Sequence, residues 1–105
     1  MTKPIKTKKE LIERILSSRN KIRGYGVLQL GIFGSFVRDE ADERSDVDFF
    51  VHFKPECKTL KNFVGLANYL KMLLGRKVEI VTPQSLNKFI GKYIQQQVEY
   101  VTLAA

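Results

Sequence analysis

The run DVDFFVHF, Asp46–Phe53, restricts the fold more than any other stretch of the chain. Successive side chains of a strand point to opposite faces. Val47, Phe49, Val51 and Phe53 then share one face, suited to a core, while Asp46, Asp48, Phe50 and His52 share the other. Such a strand belongs in a sheet covered on its first face, and its second face carries two carboxylates about 6 to 7 Å apart. Carboxylates at that spacing can share or bridge a divalent cation. A hard cation such as Mg²⁺ takes a few carboxylates together with substrate phosphates. Ten residues separate Asp46 from the pair Gly34-Ser35, which itself follows the apolar run Val27–Phe33. A glycine leaving a strand and a serine able to cap a helix offer backbone N–H groups, a hydroxyl and a helix N-terminus to an anion. One half of this stretch suits a metal and the other a phosphate.

Charge marks the same stretch. The chain of 105 residues carries a net charge of +7, yet six of its eleven acids fall within residues 34–53. Clustered acids repel one another unless solvent or cations neutralise them. The flanking segments are basic and suit an anionic ligand or partner. The length fits one domain spanning residues 1–105, with a core that buries roughly two-thirds of the unfolded chain's surface. The single cysteine, Cys57, excludes an internal disulfide and makes a reducing, cytoplasmic compartment the expectation. It reads as a loop thiol. Apolar runs are far shorter than the ~20 residues of a membrane span, so neither membrane insertion nor export is expected.

In chain order, Thr7 and Glu10 form a capping box ahead of Leu11, Ile12, Ile15 and Leu16, which predicts a helix from Lys8 to about Asn20. Val27–Phe33 reads as a strand with Leu28, Leu30 and Ile32 on one face. After the acidic segment and the Asp46–Phe53 strand, Leu60–Leu74 reads as a helix stopped by Gly75. Its stripe is Leu60, Phe63, Val64, Ala67, Leu70, Leu73 and Leu74. Leu66, Tyr69 and Met72 widen that stripe beyond what one core needs, making this face a candidate for a partner or for self-association. Lys77–Val81 is a short strand in which Glu79 opposes Val78 and Ile80 and supplies a third carboxylate. Beyond Pro83, Leu86, Phe89, Ile90, Tyr93, Ile94 and Val98 predict a last amphipathic helix, and Tyr100–Leu103 an edge strand.

The pattern Gly34-Ser35, ten residues, Asp46-x-Asp48 and then an acid in a short strand resembles the nucleotidyltransferase superfamily that includes DNA polymerase beta. The small size makes the chain most similar to the minimal nucleotidyltransferases, the antitoxin halves of pairs whose toxins are HEPN-domain ribonucleases. The resemblance runs from the first helix to the last. It implies an α/β (α+β) fold, a small mixed sheet of three to four strands with helices packed on one face, as in the polymerase beta palm. Asp46, Asp48 and Glu79 are expected on the other face. By the same resemblance these three are the catalytic and metal-holding residues, for one or two Mg²⁺ ions, and Gly34, Ser35 and Arg38 bind the nucleotide. Ser45 ahead of the first aspartate also fits. Two positions depart from the pattern: Glu79 stands where aspartate is usual, and Asp39 follows Arg38 where glycine is common.

What the resemblance implies is transfer of AMP from ATP to a hydroxyl, often a tyrosine of the cognate HEPN toxin, which silences it. In-line displacement at phosphorus needs positioning and charge neutralisation more than covalent chemistry. Three classes remain open on the residues alone. They are transfer to a protein partner, transfer to a small molecule or an RNA end, which the basic flanks permit, and a module that binds its toxin without catalysis. A homo-oligomer is also compatible. His52 shares the aspartates' face and reads as a rim or structural residue.

Overall fold

The computed structural model describes residues 3–83 and 88–103. Thr7 caps the first helix, α1 (Lys8–Ser17), accepting from the Glu10 N–H at 3.1 Å as the capping box predicts. The helix stops short of Asn20. The Ser17 hydroxyl bonds back to Arg14 O at 2.9 Å, and Ser18 leaves helical geometry before α2 (Arg19–Arg23) begins. A serine hydroxyl competes for backbone hydrogen bonds and weakens a helix, and that of Ser17 does so at the break.

Four strands follow in a single sheet: β1 (Val27–Phe33), β2 (Val47–Phe53), β3 (Val78–Val81) and β4 (Glu99–Val101), in the spatial order β3-β2-β1-β4. β1 runs antiparallel to β2 and β4, and β2 parallel to β3, so the sheet is mixed. The parallel pair is bridged by α3 (Leu60–Leu74), which starts at a Thr59 cap and ends at Gly75 in the left-handed region, φ 66°. The last helix, α4 (Lys88–Gln97), leads directly into β4. Leu86 and the side chains of Phe89 and Ile90, assigned to this helix from sequence, lie outside the described residues; Ile94 is buried and Tyr93 exposed.

The main core lies on one face of the sheet. Val47, Phe49, Val51 and Phe53 of β2 meet Leu30 and Ile32 of β1, Leu11 and Ile15 of α1, and Leu66, Leu70 and Leu74 of α3. Two sequence expectations shift here. Leu28 is 59 % exposed, because a bulge between Val27 and Gln29 inserts one residue into β1 and turns Val27 inward in its place. On α3 the buried seam runs through Leu66, whereas Leu60 and Val64 are exposed, so the helix is rotated relative to the predicted stripe. Tyr69 is half-buried with its ring 5.9 Å from that of Tyr25, and Met72 faces solvent. No described helix is long and apolar enough to cross a membrane.

Candidate active site

β2 presents Asp48, Phe50 and His52 on the face away from the main core. Asp48 lies opposite Phe33 on one side and Glu79 on the other, since β3 pairs with β2 in the register Val47 to Val78 and Asp48 to Glu79. Val78 and Ile80 pack against the core and Glu79 is exposed, so Glu79 projects beside Asp48 and away from the helical layer. Asp46 is exposed one residue ahead of β2, where the Val47 N–H to Lys77 O bond at 3.0 Å begins the ladder. Its charge is still felt at Asp48. Burial first, then the negative charges of Glu79 and Asp46 and the hydrogen bond that the protonated carboxyl donates to Glu79, push Asp48 from 3.8 up to about 6, with Arg38 opposing.

The glycine-serine pair forms a single 3₁₀ turn, Gly34–Phe36, at the end of β1. Gly34 has φ +81°, and a Cβ there would collide with Asp48 Oδ2. Two independent reasons thus require glycine: the left-handed backbone and the approach of the aspartate. Arg38 leaves the turn exposed, with Nε 3.1 Å from Glu40 Oε2 and Nη1 3.3 Å from Gln97 Oε1 at the end of α4. Just past Gln97, Val98 Cγ2 lies where a Cβ on Gly31 would fall, so the α4–β4 junction closes over this face. On the side of Asp46 a recess of about 600 Å³ is lined by Lys6, Arg44, Arg76 and Lys77 with Glu43 and Asp46.

No group of three or more His, Cys, Asp or Glu side chains forms a closed metal cage among the described residues. The donors nonetheless suit a hard divalent cation. Asp48 and Glu79 are adjacent carboxyl groups, and Mg²⁺ commonly takes one or two carboxylates and completes its shell with water and phosphate. His52 stands farther along the same face, its ring edge-on to Phe50 at 4.8 Å and its Nε2 3.4 Å from the Tyr100 hydroxyl. Burial and then nearby Lys58 lower its pKa. Gln97, Gly31 and Arg76 border the site without any local signature in the sequence, because each acts across a gap of 30 or more residues.

The family model for the nucleotidyltransferase domain matches residues 9–102. The chain is 44 % identical over 94 residues to the protein adenylyltransferase MntA of Thermococcus cleftensis, covering 88 % of this chain and 94 % of that one. Its fold matches a solved chain described as a minimal nucleotidyltransferase with TM-score 0.70 at 28 % identity, over 84 % of this chain and 93 % of the other. A toxin–antitoxin structure with AMP-PNP matches with TM-score 0.68 at 18 % identity, over 87 % and 72 %. The chain belongs to the nucleotidyltransferase domain family and is an enzyme of that class.

Proposed function

We propose that this nucleotidyltransferase moves AMP from ATP onto a hydroxyl of a protein partner, a tyrosine of a HEPN-type toxin, and so acts as the antitoxin of the pair. The observation that carries this reading is the packing of Gly34 onto the Asp48 carboxylate, which joins the phosphate-binding turn and the acidic pair in one site. The adenylyltransferase relative supports AMP as the group moved, and the toxin–antitoxin neighbour supports the kind of partner.

In this reading the Gly34 N–H and the Ser35 hydroxyl hold the β- and γ-phosphates, and Arg38 offsets their charge. Asp46, Asp48 and Glu79 would hold Mg²⁺, which supplies Lewis acidity and charge neutralisation at the transferring phosphorus. The acceptor oxygen forms a bond to the α-phosphorus as the bond to pyrophosphate breaks. The hydroxyl proton passes to a carboxylate or to water, and Glu79, exposed beside Asp48, is placed to receive it. The neighbouring wall formed by Gln97 and Val98 limits water on this face.

The test is transfer of label from α-labelled ATP to the purified cognate toxin, or to acceptors in lysate, with Mg²⁺ present or chelated. Asp48→Asn keeps shape and removes one charge, so labelling should fall by at least about 100-fold while the fold persists. Equal labelling by wild type and Asp48→Asn would exclude the reading. Toxin neutralisation with no labelling by either protein would replace it with a contact-only module.

A further inference from the structure

We infer that Arg76 is a positioning residue that holds the two halves of the site at a fixed separation. This rests on the function proposed above and adds to it a residue outside the glycine-serine and acidic motifs. The need for such a group arises from the chain itself. The metal half and the phosphate half are joined by residues 37–46, which form no helix or strand. Within that segment the bonds are short-range: Asp42 N–H to Ser45 Oγ at 2.9 Å, Arg44 N–H to Asp42 Oδ1 at 2.8 Å, and Glu40 N–H back to Ser35 O at 2.9 Å. The first part of the segment is held by Val37 and Ala41, which pack on the core, and by Arg38 on Gln97; these contacts do not reach residues 42–45.

Arg76 anchors residues 42–45. Its Nη1 donates to Asp42 O at 2.8 Å and to Ser45 O at 2.7 Å, and its Nε donates to Ile5 O at 2.7 Å. The guanidinium also lies 5.1 Å from the centre of the Phe36 ring. Ser45 is bonded directly to Asp46, and Phe36 directly to Ser35. One planar cation therefore touches the residue next to the first aspartate and the residue next to the phosphate-binding serine, and ties both to the N-terminal segment. Arg76 is itself held from both sides, by the left-handed stop of α3 at Gly75 and by the start of β3 at Val78. A rigid fork with several donors and a stackable face does this; a lysine ammonium lacks the planar fork. A misplacement of about 1 Å in such a site can cost about 100-fold in rate.

The test compares wild type, Arg76→Gln and Arg76→Lys of the full chain by hydrogen exchange and by binding of Mn²⁺·ATP, followed through the electron paramagnetic resonance of the metal. In Arg76→Gln the amides of residues 42–45 should exchange at least about tenfold faster, with β1, β2 and α3 unchanged. Mn²⁺·ATP affinity should fall about 10- to 100-fold, with Arg76→Lys between the two. A residue that only stabilises the fold would loosen those strands as well and leave affinity per folded molecule intact. Wild-type exchange at 42–45 in Arg76→Gln, or affinity within about twofold of wild type, overturns the inference. Should Arg76→Gln fail to fold, Arg76→Lys is judged by the same two readouts. Equal Mn²⁺·ATP binding by wild type and Asp48→Asn would strike the functional reading instead, and loop exchange alone would then decide whether Arg76 is the anchor.

Discussion

Asp39 has φ 58°, left-handed backbone that favours glycine, and stands where the resembling family commonly has glycine. The departure visible in the sequence therefore has a conformational meaning. Aspartate tolerates this region better than most residues yet still carries strain. Asp39→Gly should raise stability by up to about 1 kcal/mol, measured as a higher thermal midpoint. Gly34→Ala should do the opposite, because that position adds the collision with Asp48 to the same sign of φ. If Asp39→Gly lowers the midpoint, the carboxylate contributes more than its backbone costs. Some single residues are legible by type and spacing: the sequence singles out Gly34, Asp48 and Glu79, and the fold brings them together. Arg76 is not. Its partners lie 31, 34 and 71 residues away, and nothing around it in the chain distinguishes it from an ordinary arginine following a helix stop.

Among the elements, periodicity identifies the four strands and three of the four helices, α2 being the exception, but not always the phase. The alternation of β2 carries through unbroken, and its two faces are those read from the sequence. In β1 the same rule breaks at the bulge, a feature of how two strands pair and hence invisible in either strand alone. In α3 two overlapping apolar stripes compete, and the sheet selects the one through Leu66, Leu70 and Leu74. The consequence can be measured. Leu66→Ala should cost about 2 to 5 kcal/mol, whereas Leu28→Thr should change stability by less than about 0.5 kcal/mol. Chemical denaturation distinguishes them, and a large loss at Leu28 with a small one at Leu66 would reverse the assigned faces. The split of the first helix at Ser17 and Ser18 belongs here too: the serines were visible, but not how their hydrogen bonds would be spent.

Across the whole molecule, the site is a concentration of negative charge in a basic protein, and the fold bears a cost for it. The Asp48 carboxyl titrates at about 6 in the folded chain against 3.8 otherwise. A raised carboxylate contributes stability that is complete below its unfolded pKa and lost as pH rises through the folded one. Metal-free protein should lose stability between about pH 4 and pH 7 on this account, by about 1 to 2 kcal/mol once water screening on the open side is allowed for. Asp48→Asn removes that loss, so its thermal midpoint should match wild type near pH 4 and exceed it at pH 7.5. Coincident curves at both pH values would show that the acids do not strain the apo fold. The mixed sheet and the meeting of turn with acids follow from patterns in the sequence, since both depend on local alternation and spacing. The closure of the site by Gln97, Val98 and Arg76 depends on how distant segments pack.

The parallel register of β2 and β3 also bears on how this lineage can change length. Only Arg76 and Lys77 separate the Gly75 stop from β3, and the strand's alternation then aims Glu79 at the site. One codon inserted or deleted there would turn Glu79 into the helical layer and bring a neighbour out in its place. Descendants with such a change keep the sheet while losing the acid, so under the function proposed above single-residue indels between α3 and β3 should mark paralogues with impaired transfer.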